Sequence, residues 1–88
     1  MSSELLKHER LMGCKVLVPK SNSHIDLKEC VELWGALPEE AFLKAFLEEK
    51  GFSLEEAVVW INVKGIGSLT LPLTPWGDWL SALESLYN

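Results

Sequence analysis

The sequence predicts a small α+β domain with a three-stranded sheet, on the strength of its length, its composition and its hydrophobic patterning. A chain of 88 residues has the length of one domain, so residues 1–88 are read as a single globular unit. Its 48% hydrophobic and 24% charged residues belong to a packed chain rather than a disordered one. Helical and alternating apolar patterns succeed one another in the order helix, strand, helix, helix, hairpin, helix. At this size only about 60% of the unfolded surface is buried, so most large apolar side chains are needed for the core.

Ser2 and Ser3 are suited to cap a first helix, with Leu5, Leu6 and Leu11 as its apolar contacts and Gly13 as its stop. CKVLVP then alternates, Cys14, Val16 and Val18 on one face and Lys15 and Leu17 on the other, which predicts a strand over 14–18 ended by Pro19. Ser23 with Asp26 stands in capping-box positions, and Leu27, Cys30, Val31 and Trp34 recur at helical spacing up to Gly35. That helix, 24–34, puts Trp34 in the core.

Pro38 pre-sets the first turn of the next helix, 38–50; Glu39 and Glu40 suit its positive end, and Ala41, Phe42, Ala45 and Phe46 form its expected buried stripe. Only GALP joins the two helices, which makes them a tight pair. Ser53 and Glu56 form a capping box, yet Val58, Val59, Ile61 and Val63 are β-branched. The conflict resolves as one capped turn followed by a strand at about 57–64, with Gly65 and Gly67 in a turn and SLTLPL returning as partner, Pro72 confining it to an edge or an end.

Thr74 caps the last helix and Pro75 takes its first position; Trp76, Trp79, Leu80, Leu83, Leu86 and Tyr87 make a wide apolar face. Gly77 between the tryptophans leaves room for another backbone.

This order of elements resembles winged-helix domains, in which the helical pair, here 24–34 and 38–50, forms a helix-turn-helix and the hairpin around KGIGS forms the wing. The resemblance implies a DNA-binding regulator of transcription. The residues oppose that function. A recognition helix needs Arg, Lys, Asn or Gln at its leading end, and this one offers Glu39 and Glu40.

The formal charge is -5 and unevenly spread: residues 1–20 hold four Lys/Arg against two Glu, whereas residues 39–56 hold six Glu against two Lys. Acidic balance disfavours nucleic acid as partner, because nonspecific attraction to it comes from cations. No apolar run reaches the roughly 18 residues that span a bilayer. With no export signal in MSSELLKHER, the expectation is a cytoplasmic protein without a membrane, and with Cys14 and Cys30 as reduced thiols.

Catalytic and metal chemistry find little support. His8, Cys14, His24 and Cys30 lack metal-ligand spacing, and GIGS lacks the pattern of a nucleophile elbow or a phosphate loop. Neither a catalytic residue, a metal nor a cofactor is assigned. The function expected is that of a non-enzymatic, acidic protein–protein interaction module: an adaptor, regulatory subunit or inhibitor. Its partner-binding residues are expected to be Trp76, Trp79, Leu83 and Tyr87 on the last helix, which also suit a homodimer, together with Glu39 and Glu40 for a basic partner.

Overall fold

The computed structural model describes residues 6–86. These form an α+β domain with a four-stranded antiparallel sheet, three helices and one short 3-10 turn. In chain order they are β1 (Leu11–Leu17), β2 (His24–Asp26), α1 (Leu27–Trp34), α2 (Glu40–Glu49), the 3-10 turn Leu54–Glu56, β3 (Val58–Val63), β4 (Gly67–Pro72) and α3 (Trp76–Ser85). The sheet order is β2-β1-β3-β4. Ser2, Ser3 and Leu5 of the expected first helix lie outside the described residues, and its Leu11 opens β1 instead.

The fourth strand is what the sequence reading missed. His24, Ile25 and Asp26 pair with Leu17, Val16 and Lys15, so the stretch assigned to the start of a helix is the edge of the sheet. The reason is a choice between caps. Asp26, three residues before Glu29, accepts a hydrogen bond from the Glu29 amide at 3.0 Å and begins α1 there. The Ser23 amide instead donates to Ser21 Oγ, and the Ser23 carbonyl accepts from Val18, closing a β1–β2 hairpin. Aspartate followed by glutamate is the better N-terminal pair, and Ser23 is free to serve the turn.

The hairpin of β3 and β4 and the capped turn before it match the sequence reading. Ser53 and Glu56 satisfy each other at the 3-10 turn, with the Ser53 amide 2.9 Å from Glu56 Oε2, and β3 follows one residue later. Gly65 and Gly67 take φ values of 84° and 109° in the connection, the region glycine enters without strain. β4 is an edge strand, as Pro72 demands.

The core lies between one face of the sheet and the helices. Cys14 and Val16 of β1 and Val59, Ile61 and Val63 of β3 meet Leu27, Val31, Leu43, Leu47, Trp79 and Leu83. On α2 the buried side chains are Leu43 and Leu47, with Phe46 half-buried, while Ala41 and Ala45 are exposed and Phe42 keeps 49% of its surface. The expected stripe is thus rotated by about one residue. Both stripes fit a 3.6-residue period, and burying two leucines gains more than burying two alanines. The helix ends at Gly51, whose amide donates to Glu48 while that of Phe52 donates to Leu47, the pairing of a Schellman motif.

Trp34 is the second correction. It is 60% exposed, although its spacing continues the stripe of Leu27, Cys30 and Val31. α1 has only eight residues, and Gly35 at φ 74° turns the chain immediately after Trp34, so this last side chain overhangs the core. Gly13, expected to stop a helix, lies mid-strand under Trp60. Gly77 has no foreign atom near its missing Cβ and serves no close approach. Helix α3 starts without a side-chain cap, so Thr74 does not fill that role.

Candidate interaction surface

Burial settles where the expected partner-binding residues stand. Trp79 and Leu83 are 0% exposed, so neither offers area to a partner while the domain is folded. Trp79 packs edge-on against the half-buried Trp76, centroids 5.3 Å apart at 88°. Its indole N–H hydrogen-bonds nothing among the described residues, so the ring contributes through area and not through polar pairing. The two tryptophans of WGDW therefore close the core. Tyr87 lies outside the described residues. Glu39 and Glu40 are exposed at the start of α2, as a binding role would require.

A different corner holds three of the five most exposed large apolar side chains among the described residues, the others being Met12 of β1 and Ile66 of the β3–β4 turn. Leu33 keeps 71%, Trp34 60% and Phe42 49% of their area. The Trp34 and Phe42 rings meet edge-on with centroids 5.9 Å apart, which ties the end of α1 to the start of α2. On the other side of Trp34, a shallow cleft of about 290 Å³ is lined by Leu33, Trp34, Cys30 and Glu29 of α1 and by His24, Ile25 and Asp26. The surface thus runs from Phe42 across Trp34 into a groove beside β2.

Its electrostatics are one-sided. Glu29, Glu32, Glu39, Glu40, Glu48 and Glu49 stand on α1 and α2 or at the entry to α2, against Lys28 and Lys44 within the two helices and Lys50 at the end of α2. Among the described residues the only ion pair is Lys20–Glu56, at 3.1 Å, well away from these side chains in sequence. Glu56 is held below the ordinary carboxylate range by the Ser53 amide and by Lys20. A second cleft of about 480 Å³ on the far flank of α2 carries Glu40, Glu48 and Glu55 around Lys44.

Reactive chemistry is poorly served. Burial pushes the Cys14 thiol up to about 12, and it raises Cys30 as well, with Asp26 and Glu29 adding to the effect. Both thiols are protonated at neutral pH and are weak nucleophiles. Among the described residues no three His, Cys, Asp or Glu side chains converge to hold a metal ion, and no helix is long and apolar enough to cross a membrane.

Leu33, Trp34 and Phe42 are the residues that the sequence reading missed. One signal for them existed. Adjacent side chains on a helix point about 100° apart, so Leu33 and Trp34 cannot both face one sheet. Comparison with known proteins adds no family: no family model, curated protein or solved structure matches the chain.

Proposed function

We propose that this protein is a non-enzymatic protein–protein interaction module, an adaptor, regulatory subunit or inhibitor, and that it docks a basic partner on the corner formed by α1 and α2. The supporting observation is that Leu33, Trp34 and Phe42, among the most exposed large hydrophobic side chains of the described residues, lie on the two helices that also carry Glu29, Glu32, Glu40, Glu48 and Glu49, none of which makes an ion pair among the described residues. Aromatic side chains at the centre of a patch supply most of the binding energy, and surrounding charge supplies orientation and rate. A partner presenting an apolar side chain flanked by Lys or Arg matches both. Docking through Trp76, Trp79 and Leu83 is not carried forward, because two of the three are sealed.

The winged-helix-like order, with DNA as ligand, is the weaker reading. It is favoured by the succession of α1, α2 and the β3–β4 hairpin in the chain, and opposed by the loose packing of α1 against α2 and by Glu39 and Glu40 where phosphate would approach.

The test is affinity capture from the native cell with wild type and with the double variant Trp34→Ser, Phe42→Ser. Both side chains are exposed, so circular dichroism should show an intact fold. Wild type is expected to retain a basic protein that elutes as salt is raised and that the double variant retains at least about ten-fold less well. Equal retention by wild type and variant would sink the proposal.

A further inference from the structure

The face of the sheet turned away from the helices carries a second pattern, distinct from the acidic corner. Strand alternation places Lys15, Leu17, Val58, Trp60, Asn62 and Thr70 there, since Cys14, Val16, Val59, Ile61 and Val63 point into the core. Trp60 is the centre. Its six-membered ring lies across Gly13, where a Cβ would come within 2.8 Å of Cζ3, so glycine alone leaves the ring this seat. Lys15 Nζ lies over the half-buried ring, 5.8 Å from its centroid, so a stacking base would take the place of this ammonium.

Beyond the irregularity between Leu11 and Gly13, two more cations meet at the end of the β1–β3 ladder. The Lys64 amide donates to the Arg10 carbonyl at 2.7 Å, and both residues neighbour inward-facing partners, Val63 and Leu11. That bond sets Arg10 and Lys64 side by side at one end of the sheet, about 13 Å from Lys15 along the strands. None of the three makes an ion pair among the described residues. Asp26 pairs with Lys15 in register and brings one carboxylate to this edge of the face, with its Oδ1 accepting from the Glu29 amide. At the other end a shallow cleft of about 530 Å³ opens between Leu17, Val58, Thr70 and the loop after β1.

We propose that this open sheet face binds single-stranded nucleic acid, with Trp60 as the stacking platform and Lys15, Arg10 and Lys64 as phosphate contacts. An indole supported from below by backbone is a surface on which an unpaired base stacks, and stacking of this kind tolerates any sequence. A duplex keeps its bases stacked on each other and cannot use the ring. Asn62, Ser68 and Thr70 add hydrogen-bonding groups beside it. The net charge of -5 does not forbid this, because the carboxylates of α1 and α2 lie on the helical side of the core, and screening acts within about 8 to 10 Å in physiological salt. The chain's charge asymmetry thus becomes an asymmetry between two faces.

The experiment is a titration of fluorescein-labelled oligothymidylate and oligouridylate, read by anisotropy at low and at physiological salt, with polyglutamate as the competing polyanion. Binding is expected, weakening steeply with salt and out-competing polyglutamate. Trp60→Ala should weaken it roughly ten-fold. Lys15→Gln with Lys64→Gln should make the salt dependence shallower by about 1 to 2 in slope, and this pair keeps the test valid if Trp60→Ala unfolds. Absence of binding at low salt overturns the proposal. So does polyglutamate binding as tightly as the oligonucleotides, which would mark an acidic protein segment as the ligand, or affinity unchanged in both variants.

Discussion

Trp79 and Trp34 are the same residue type in opposite positions, and the difference is measurable. Trp79 is 0% and Trp34 60% exposed. Truncating a buried tryptophan costs about 3–5 kcal/mol, against a total stability of roughly 4–13 kcal/mol for a domain this long. Trp79→Ala should therefore lower the denaturant midpoint severely or leave the chain unfolded at room temperature. Trp34→Ser should shift stability by no more than about 0.5 kcal/mol in the same urea titration. Comparable losses from both substitutions would mean that the overhang of Trp34 is wrong. The two tryptophans were indistinguishable by spacing, because each sits on an apolar helical stripe. What separates them is that α3 packs Trp79 in its first half, whereas α1 ends at Trp34 and the glycine behind it.

Elements are where the sequence was most informative, and where one competition between local signals misled. The 3-10 turn and β3 were legible because the Ser53–Glu56 box and the β-branched run occupy successive residues and so do not exclude each other. The beginning of α1 was not, because Ser23 and Asp26 both fit an N-cap and only pairing with β1, a contact between chain segments, decides between them. This predicts an asymmetry. Asp26→Ala should destabilise the domain by about 1 kcal/mol, the usual cost of losing a cap, while Ser23→Ala should cost a few tenths at most. Thermal melts of the two variants check it, and a larger effect at Ser23 would return the helix start to residue 24. The α2 stripe failed for a related reason: its period was correct, but Ala41, Phe42, Ala45 and Phe46 competed with Leu43, Phe46 and Leu47, and relative side-chain size had to be weighed. The candidate surface is the residue of these two errors, since Trp34 and Phe42 were both assigned inward and so were unavailable as surface.

For the whole molecule, the uneven charge along the chain becomes a division between layers. Carboxylates from Glu29 to Glu49 collect on the two helices, while Lys15 lies on the uncovered sheet face and Arg10 and Lys64 meet at its end. In a body measuring 36 × 24 × 21 Å the layers are separated by a core that excludes water, so each side presents its own field to what approaches it. On the acidic side this makes separate contributions to rate and residence expected for the basic partner. Glu39 and Glu40 are exposed rim charges that act during approach, whereas Trp34 and Phe42 act once contact is made. Glu39→Gln with Glu40→Gln should slow association several-fold at low salt, lose that effect at high salt, and leave dissociation nearly unchanged. Trp34→Ser should do the reverse, speeding dissociation at every salt concentration. Surface plasmon resonance with the captured partner separates the two, and a charge variant that acts on dissociation alone would place the carboxylates inside the contact rather than around it.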